Sequence, residues 1–172
     1  MNTLKPSIAY IFKTYNKNQD MLNYLKAHPD LFSDLIEASL VITHPRAWRS
    51  AMLLGHAIQK EDSRLMPFVD DFIACLPNLN HDGHQRQILI VLDKLKLNED
   101  QNGHLFNHCL SLWEDVNKIP STRIRAFQAM VKMTNEYPEL KEELQLFTTN
   151  YYTQTLSKGI KISFLRLINE KL

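Results

Sequence analysis

The sequence has few of the residues that build loops, cross-links and membrane spans. Only 4 glycines and 7 prolines occur among 172 residues, which argues against a disordered or loop-rich chain. The two cysteines, Cys75 and Cys109, are too few for a disulfide framework, and we expect buried free thiols. The longest aliphatic run, Ile88–Leu92, falls far short of the ~18 apolar residues that suggest a membrane span, and no signal peptide is recognisable. We therefore expect a cytoplasmic protein without a membrane segment.

Charge and catalytic motifs are also lacking. The formal net charge is +1, with acids and bases interleaved along the chain, so no whole-protein field attracts nucleic acid or an anionic membrane. A local basic patch remains open. We find no G-x-S-x-G pattern, no glycine-rich phosphate loop and no Cys/His pairing with an orienting acid. From these absences we expect that the protein is not an enzyme and that it binds no cofactor.

Histidine spacing is the one feature that suggests a metal. His81 and His84 form an H-x-x-H pattern, and His104 and His108 lie four residues apart on a predicted helix. The two pairs fall at opposite ends of a helix of some 15 residues, about 22 Å apart, too far to share one ion. We expect surface or capping histidines and no metal site.

A short block recurs along the chain at 48–53, 85–90, 124–129 and, in weaker form, 160–165. Each copy carries a basic residue at its second position, and apolar residues follow at matching offsets. The basic residues are Arg49, Arg86, Arg125 and Lys161, separated by steps of 37, 39 and 36 residues. A period of roughly 35–45 residues is typical of stacked helix pairs.

Helical periodicity extends over nearly the whole chain, and no strand pattern interrupts it. The predicted helices are 3–15, 20–27, 30–42, 45–60, 64–76, 82–97, 103–116, 120–136, 139–156 and 157–171. We predict a single domain, 1–172, with capping helices in 1–29 and four antiparallel pairs at 30–60, 64–97, 103–136 and 139–171. Pro45 and Pro120 suit the first turns of their helices, and Asp82, Ser121 and Ser157 are predicted to cap.

The repeated block resembles that of HEAT repeats. Ile124-Arg125-Ala126 and Trp48-Arg49-Ser50-Ala51 are similar to the block that opens the inner helix of such a repeat, and Pro67 to the proline of its outer helix. The resemblance covers about 30–172. It implies an all-α, right-handed α-solenoid, the armadillo-type superhelix, with nine to ten helices.

The chain departs from the HEAT pattern six residues before each base. An aspartate usually stands there and pairs with the arginine of the block, whereas this chain has Thr43, Asn80 and Ile119. The resemblance therefore does not imply a complete Asp–Arg ladder.

The basic column, defined as Arg49, Arg86, Arg125 and Lys161, has two interpretations. If the repeats stack, these residues line one edge of the inner surface at steps of ~10 Å. They could bind an acidic partner segment, together with their neighbours Arg46, Trp48 and Arg123. Alternatively, each base binds carbonyls at the ends of adjacent helices, and the regular recurrence favours this structural role.

The aromatic residues divide between the two roles. Phe147 and Tyr151 have helical spacing and are expected in the core between repeats. Trp48 is expected to be partly exposed, because the equivalent position in the next block is Gln85. An exposed tryptophan beside an arginine is common at protein interfaces.

These patterns predict a non-catalytic, monomeric scaffold for protein–protein interactions, with an acidic peptide or helix as its partner. The alternative is a nucleic-acid-binding protein like the HEAT-like alkylpurine DNA glycosylases, which the balanced charge disfavours. In a third interpretation the short stack buries a terminal face on another subunit.

Overall fold

A computed structural model describes residues 4–172, so the predicted helix start at Thr3 lies outside the described residues. Within this range the chain forms only helices, and the predicted all-α class is confirmed. The α-helices are α1 (Pro6–Thr14), α2 (Asn18–Ala27), α3 (Phe32–Leu40), α4 (Ala47–Ala57), α5 (Val69–Cys75), α6 (Asp82–Leu92), α7 (Glu99–Glu114), α8 (Pro120–Met133), α9 (Leu140–Leu146), α10 (Asn150–Thr153) and α11 (Lys158–Lys171). Short 3-10 segments span Pro29–Leu31, Ser63–Phe68 and Leu76–Asn78.

The described residues up to Leu97 form one compact unit, in which α4 is the central helix. It packs against α3 on one side and α6 on the other. Ala51, Leu53 and Leu54 are fully buried, as expected for a helix between two neighbours. Gly55 faces α6, and a Cβ there would make van der Waals contact with a methyl group of Ile90 at 3.4 Å.

Residues Asn98–Leu172 form a second compact unit, in which three aromatic rings pack against one another. Trp113 of α7 lies 4.6 Å from Phe127 of α8 and 5.2 Å from Phe164 of α11, measured between ring centroids. All three side chains are buried, and each such ring pair stabilises by about 0.5–1.5 kcal/mol beyond its buried area. Each unit thus has its own core, and a single domain over 1–172 stays a prediction.

The predicted helix 139–156 is wrong, because the chain breaks at 147–149 into α9 and α10. Trp113 Nε1 donates a hydrogen bond of 2.9 Å to the Phe147 carbonyl, which a continuous helix would need for itself. With this break, residues 4–172 form eleven α-helices, whereas nine to ten were predicted. The break also changes the register, so Tyr151 is 60% exposed rather than in the core, while Phe147 is half-buried.

The start of α7 is also earlier than predicted, at Glu99 rather than Gly103. Asn98 Oδ1 accepts from the Gln101 N–H at 2.9 Å, and Gln101 Oε1 accepts from the Asn98 N–H at 3.0 Å. This reciprocal capping box fixes the first turn of the helix.

Of the three predicted caps, only Ser157 occupies an N-cap position. His81 rather than Asp82 caps α6, accepting from the His84 N–H through Nδ1 at 3.1 Å. Ser121 lies inside α8, and Ser157 occupies the N-cap of α11 without a side-chain cap hydrogen bond. Pro120 is the first residue of α8 as predicted, whereas Pro45 precedes α4.

Candidate functional site

The first unit contains a cleft of about 350 Å³ between the α3–α4 connection and the start of α6, here called the tryptophan cleft. Its walls come from two loops and the first turns of two helices. The lining residues are Ile42, Thr43, His44, Pro45, Trp48, Asn80, His81 and His84.

Trp48 is the largest side chain of the tryptophan cleft. It is half-buried, which confirms its predicted partial exposure. Its ring lies nearly parallel to that of His81, with centroids 6.0 Å apart and planes at 11°. The His44 ring is also held in place, because its Nδ1 accepts from the Arg46 N–H at 3.1 Å. The aromatic walls of the cleft are therefore ordered by the local backbone.

No aspartate, glutamate, lysine or arginine is among the described lining residues of the tryptophan cleft. Thr43 and Asn80 lie in the lining at two of the positions where a HEAT repeat usually carries aspartate. Arg46 lies at the N-cap of α4, one residue beyond the lining residue Pro45, and its side chain is exposed. The cleft therefore presents an aromatic and neutral surface, with the exposed Arg46 beside one lining residue and the half-buried Asp82 beside another.

All four residues of the basic column are half-buried. The Arg49 guanidinium carbon lies 4.8 Å from the centroid of the Phe12 ring, a cation–π geometry. Arg125 donates through Nη1 to Gln128 Oε1 at 3.4 Å. That the four residues line one edge at regular steps stays a prediction.

Arg123, by contrast, lies in the interior of the second unit with no exposed surface. Its Nε and Nη2 donate to the Trp113 carbonyl at 3.0 and 2.8 Å, and Nη2 also donates to the Tyr152 carbonyl at 2.7 Å. Nη1 donates to Thr155 Oγ1 at 2.8 Å. Burial lowers the pKa of the guanidinium. Arg123 therefore leaves the set of candidate partner-binding residues, because a partner cannot reach it in this structure.

Two residues next to the basic column bind carbonyls of other helices. Arg123 stands two residues before Arg125, and His84 stands two residues before Arg86. His84 Nε2 lies 2.8 Å from the Ser39 carbonyl, in the last turn of α3. The first and last copies of the block carry Ala47 and Gly159 at this offset, so the pattern holds in two of the four copies and the repeat did not indicate it. The structural role of the column itself stays a prediction.

Lys94 is another carbonyl-binding residue that the repeat did not indicate. Its ammonium donates to the Gly55 carbonyl at 2.7 Å and to the Ile58 carbonyl at 3.2 Å. Both carbonyls lie at the end of α4, where the helix has no N–H donors left for them. A cation there also interacts favourably with the helix dipole.

The histidines and cysteines have structural positions. In the described part of the chain, no group of three or more His, Cys, Asp or Glu side chains could hold a metal ion. Burial lowers the pKa of His84, which is 2% exposed. Cys75 and Cys109 are buried free thiols, as predicted.

None of the helices formed by residues 4–172 is long and apolar enough to cross a membrane. A family model described as a HEAT repeat domain matches residues 13–171. Neither a curated protein nor a solved structure matches the chain.

Proposed function

The chain belongs to the HEAT repeat family, and we propose that this repeat scaffold is non-catalytic and binds an acidic segment of another protein at the tryptophan cleft. The non-catalytic role rests on the family and on the missing catalytic motifs of the sequence. We also place the protein in the cytoplasm as a monomer, and its two free buried thiols support a reducing compartment.

The observation that carries the proposal is an accessible tryptophan beside an arginine, in a cleft whose described lining has no carboxylate. Tryptophan and arginine dominate the energetics of protein interfaces. An apolar side chain of the partner would pack on Trp48 and on Ile42, which is 43% exposed. A neighbouring carboxylate of the partner would pair with Arg46.

Preorganisation favours this site over a mobile surface. The rings of Trp48 and His81 face each other, and the Nδ1 atoms of His81 and His44 are engaged by backbone N–H groups. Binding therefore freezes few additional rotamers, which lowers its entropic cost. Arg49 and Arg86 of the same unit belong to the proposed surface, and Arg125 and Lys161 of the second unit stay predicted partner-binding residues.

The test is capture of partners from extracts of the cells that make the protein, with and without nuclease, followed by mass spectrometry. Wild type is compared with Arg46→Glu/Trp48→Ala, which reverses the charge and removes the anchor. Truncating an interface anchor of this kind costs about 2 kcal/mol or more, or roughly a 30-fold loss of affinity. The expected result is a protein partner that survives nuclease and is lost with the double variant.

The matched control is Tyr10→Ala/Lys96→Glu, which makes the same kinds of change at exposed positions of the first unit outside the cleft. Equal loss of the partner in both variants would remove the cleft from the proposal. Retention that disappears with nuclease would instead favour the nucleic-acid alternative, which the family match does not support.

A further inference from the structure

The second unit contains a groove of about 300 Å³ where the start of α7, the end of α8 and the start of α9 meet. Its apolar surface comes from Phe106 and Met133, which are buried, and from Tyr137 and Leu140, which are half-buried. A volume at the lower end of the range for ligand pockets suits one or two side chains rather than a large molecule.

The rim of this groove is acidic. Glu99, Glu139 and Glu143 line it, all three are exposed, and no lysine or arginine is among its described lining residues. In the described part of the chain, none of the three glutamates forms an ion pair. We call this feature the acidic groove.

Gly103 gives a second reason to regard the acidic groove as a binding site. It lines the groove from the second turn of α7, and a Cβ placed there would meet nothing within 4 Å. Glycine inside a helix is about 1 kcal/mol less favourable than alanine. At Gly103 the groove wall is therefore helix backbone without a side chain, and the space in front of it is open to a ligand.

We propose that the acidic groove binds a basic amphipathic segment of a partner protein. One apolar side chain of that segment packs on Met133 and Leu140. The methylene stem of a lysine or arginine lies along Phe106 and Tyr137, with its charged end at the glutamates. Charge complementarity selects this occupant, because the open carboxylates disfavour an acidic or purely apolar segment. This surface is separate from the proposed function, since it lies in the other unit and takes a partner of opposite charge.

The test uses fluorescence anisotropy with a labelled peptide of leucine and lysine at helical spacing. Two comparison peptides replace every leucine by serine or every lysine by glutamate. We expect the leucine/lysine peptide to bind the whole protein at least about tenfold more tightly than either comparison peptide, a difference of about 1.4 kcal/mol. Equal binding of the serine/lysine peptide would reduce the interaction to diffuse charge attraction and overturn the proposal.

Gly103→Trp blocks the groove from a position where the fold has space. It should weaken peptide binding at least about tenfold. The matched control is Gly159→Trp in α11, because a Cβ at Gly159 also meets nothing within 4 Å. Unchanged binding by Gly103→Trp would overturn the proposal, as would equal losses in the two variants.

A charge variant keeps the proposal testable if Gly103→Trp fails to fold. It converts the three rim glutamates to glutamine and should also weaken binding at least about tenfold. Its control neutralises three exposed acids of the same unit outside the groove: Asp100→Asn, Glu136→Gln and Glu142→Gln. Equal effects of the two triple variants would show that net charge alone acts, which also overturns the proposal.

Discussion

Arg123 offers the sharpest test of how the second unit is held together. Its side chain is fully buried, and it joins the last turn of α7 to the short α10 through the Trp113 and Tyr152 carbonyls. Its guanidinium carbon also lies 4.7 Å from the centroid of the Trp113 ring. The perturbation is Arg123→Met, which keeps most of the aliphatic stem and removes every donor.

The cost follows from the two carbonyls that lose their donors. A buried acceptor left without a partner costs about 1–3 kcal/mol, and since the Trp113 carbonyl is buried and the Tyr152 carbonyl only partly so, the pair gives about 3 kcal/mol. The lost cation–π contact adds about 0.5–2 kcal/mol, and relief from burying a charge offsets part of the total. We expect a net loss of about 3–4 kcal/mol in the free energy of unfolding, a large share of the 5–15 kcal/mol of a typical domain.

The assay is urea unfolding in a Trp48→Phe background, where fluorescence comes from Trp113 alone and reports the second unit. The midpoint should fall while the slope with urea stays constant. Arg125→Met is the matched control on the same helix and should cost about 1 kcal/mol or less, because its side chain is half-buried. A loss below about 1 kcal/mol for Arg123→Met would refute the reasoning, since the carbonyls would then not need the guanidinium.

Three further predictions concern titratable groups. Burial raises the pKa of the Cys75 and Cys109 thiols to about 12, so neither should react with Ellman's reagent at pH 8 until urea is added, and rapid native reaction would contradict their burial. Burial lowers the pKa of His84 from 6.5. Below pH 6.5 the unfolded chain therefore binds a proton at His84 more readily than the folded protein does, so the free energy of unfolding falls as the pH decreases. In His84→Gln, the urea midpoint should change less between pH 7 and about 5 than in the wild type. An equal change in both proteins would show that another group causes the pH dependence. Hydrogen bonds from Arg64 lower the pKa of Asp62 from 3.8. The ionised Asp62 therefore contributes fully to folding stability above pH 3.8, and this contribution is lost as the pH falls further. Asp62→Ala should cost about 1 kcal/mol at pH 7 in a urea titration and nearly nothing at about pH 2, and equal losses at both values would contradict the shift.

Sequence periodicity correctly indicated buried residues in those repeats whose helices pack against other helices of the same unit. Ala51, Ile88 and Phe127 stand two residues after the repeated base, and all three are fully buried. Four residues after the base, Leu53 is fully buried but Leu165 is 57% exposed. Periodicity indicates which face of a helix is apolar, but it does not reveal whether another element covers that face.

Long-range polar contacts were beyond the sequence patterns. At the helix break at 147–149, the Phe147 carbonyl accepts a hydrogen bond from the indole of Trp113, which is 34 residues away in the sequence. His84 and Arg123 were visible as donors, but the carbonyls that they bind belong to the ends of other helices. Pairing them requires the fold.

The start of α7 was within reach of the sequence, because Asn98 and Gln101 have capping-box spacing. Because the helix was predicted to start at Gly103, this glycine was not recognised as a residue inside the helix. The acidic groove depends on this placement together with three elements that meet only in the folded unit, so composition alone could not indicate it.

The most direct test of the proposed function is photo-crosslinking from the tryptophan cleft inside the cells that make the protein. Benzoylphenylalanine replaces Ile42, a partly exposed residue of the lining, and mass spectrometry identifies the crosslinked segment. We predict crosslinks to one acidic protein segment that disappear with Arg46→Glu and persist with Lys96→Glu. Crosslinks to nucleic acid or to basic segments, or no crosslink above an exposed control position such as Lys26, would contradict the proposed role of this cleft.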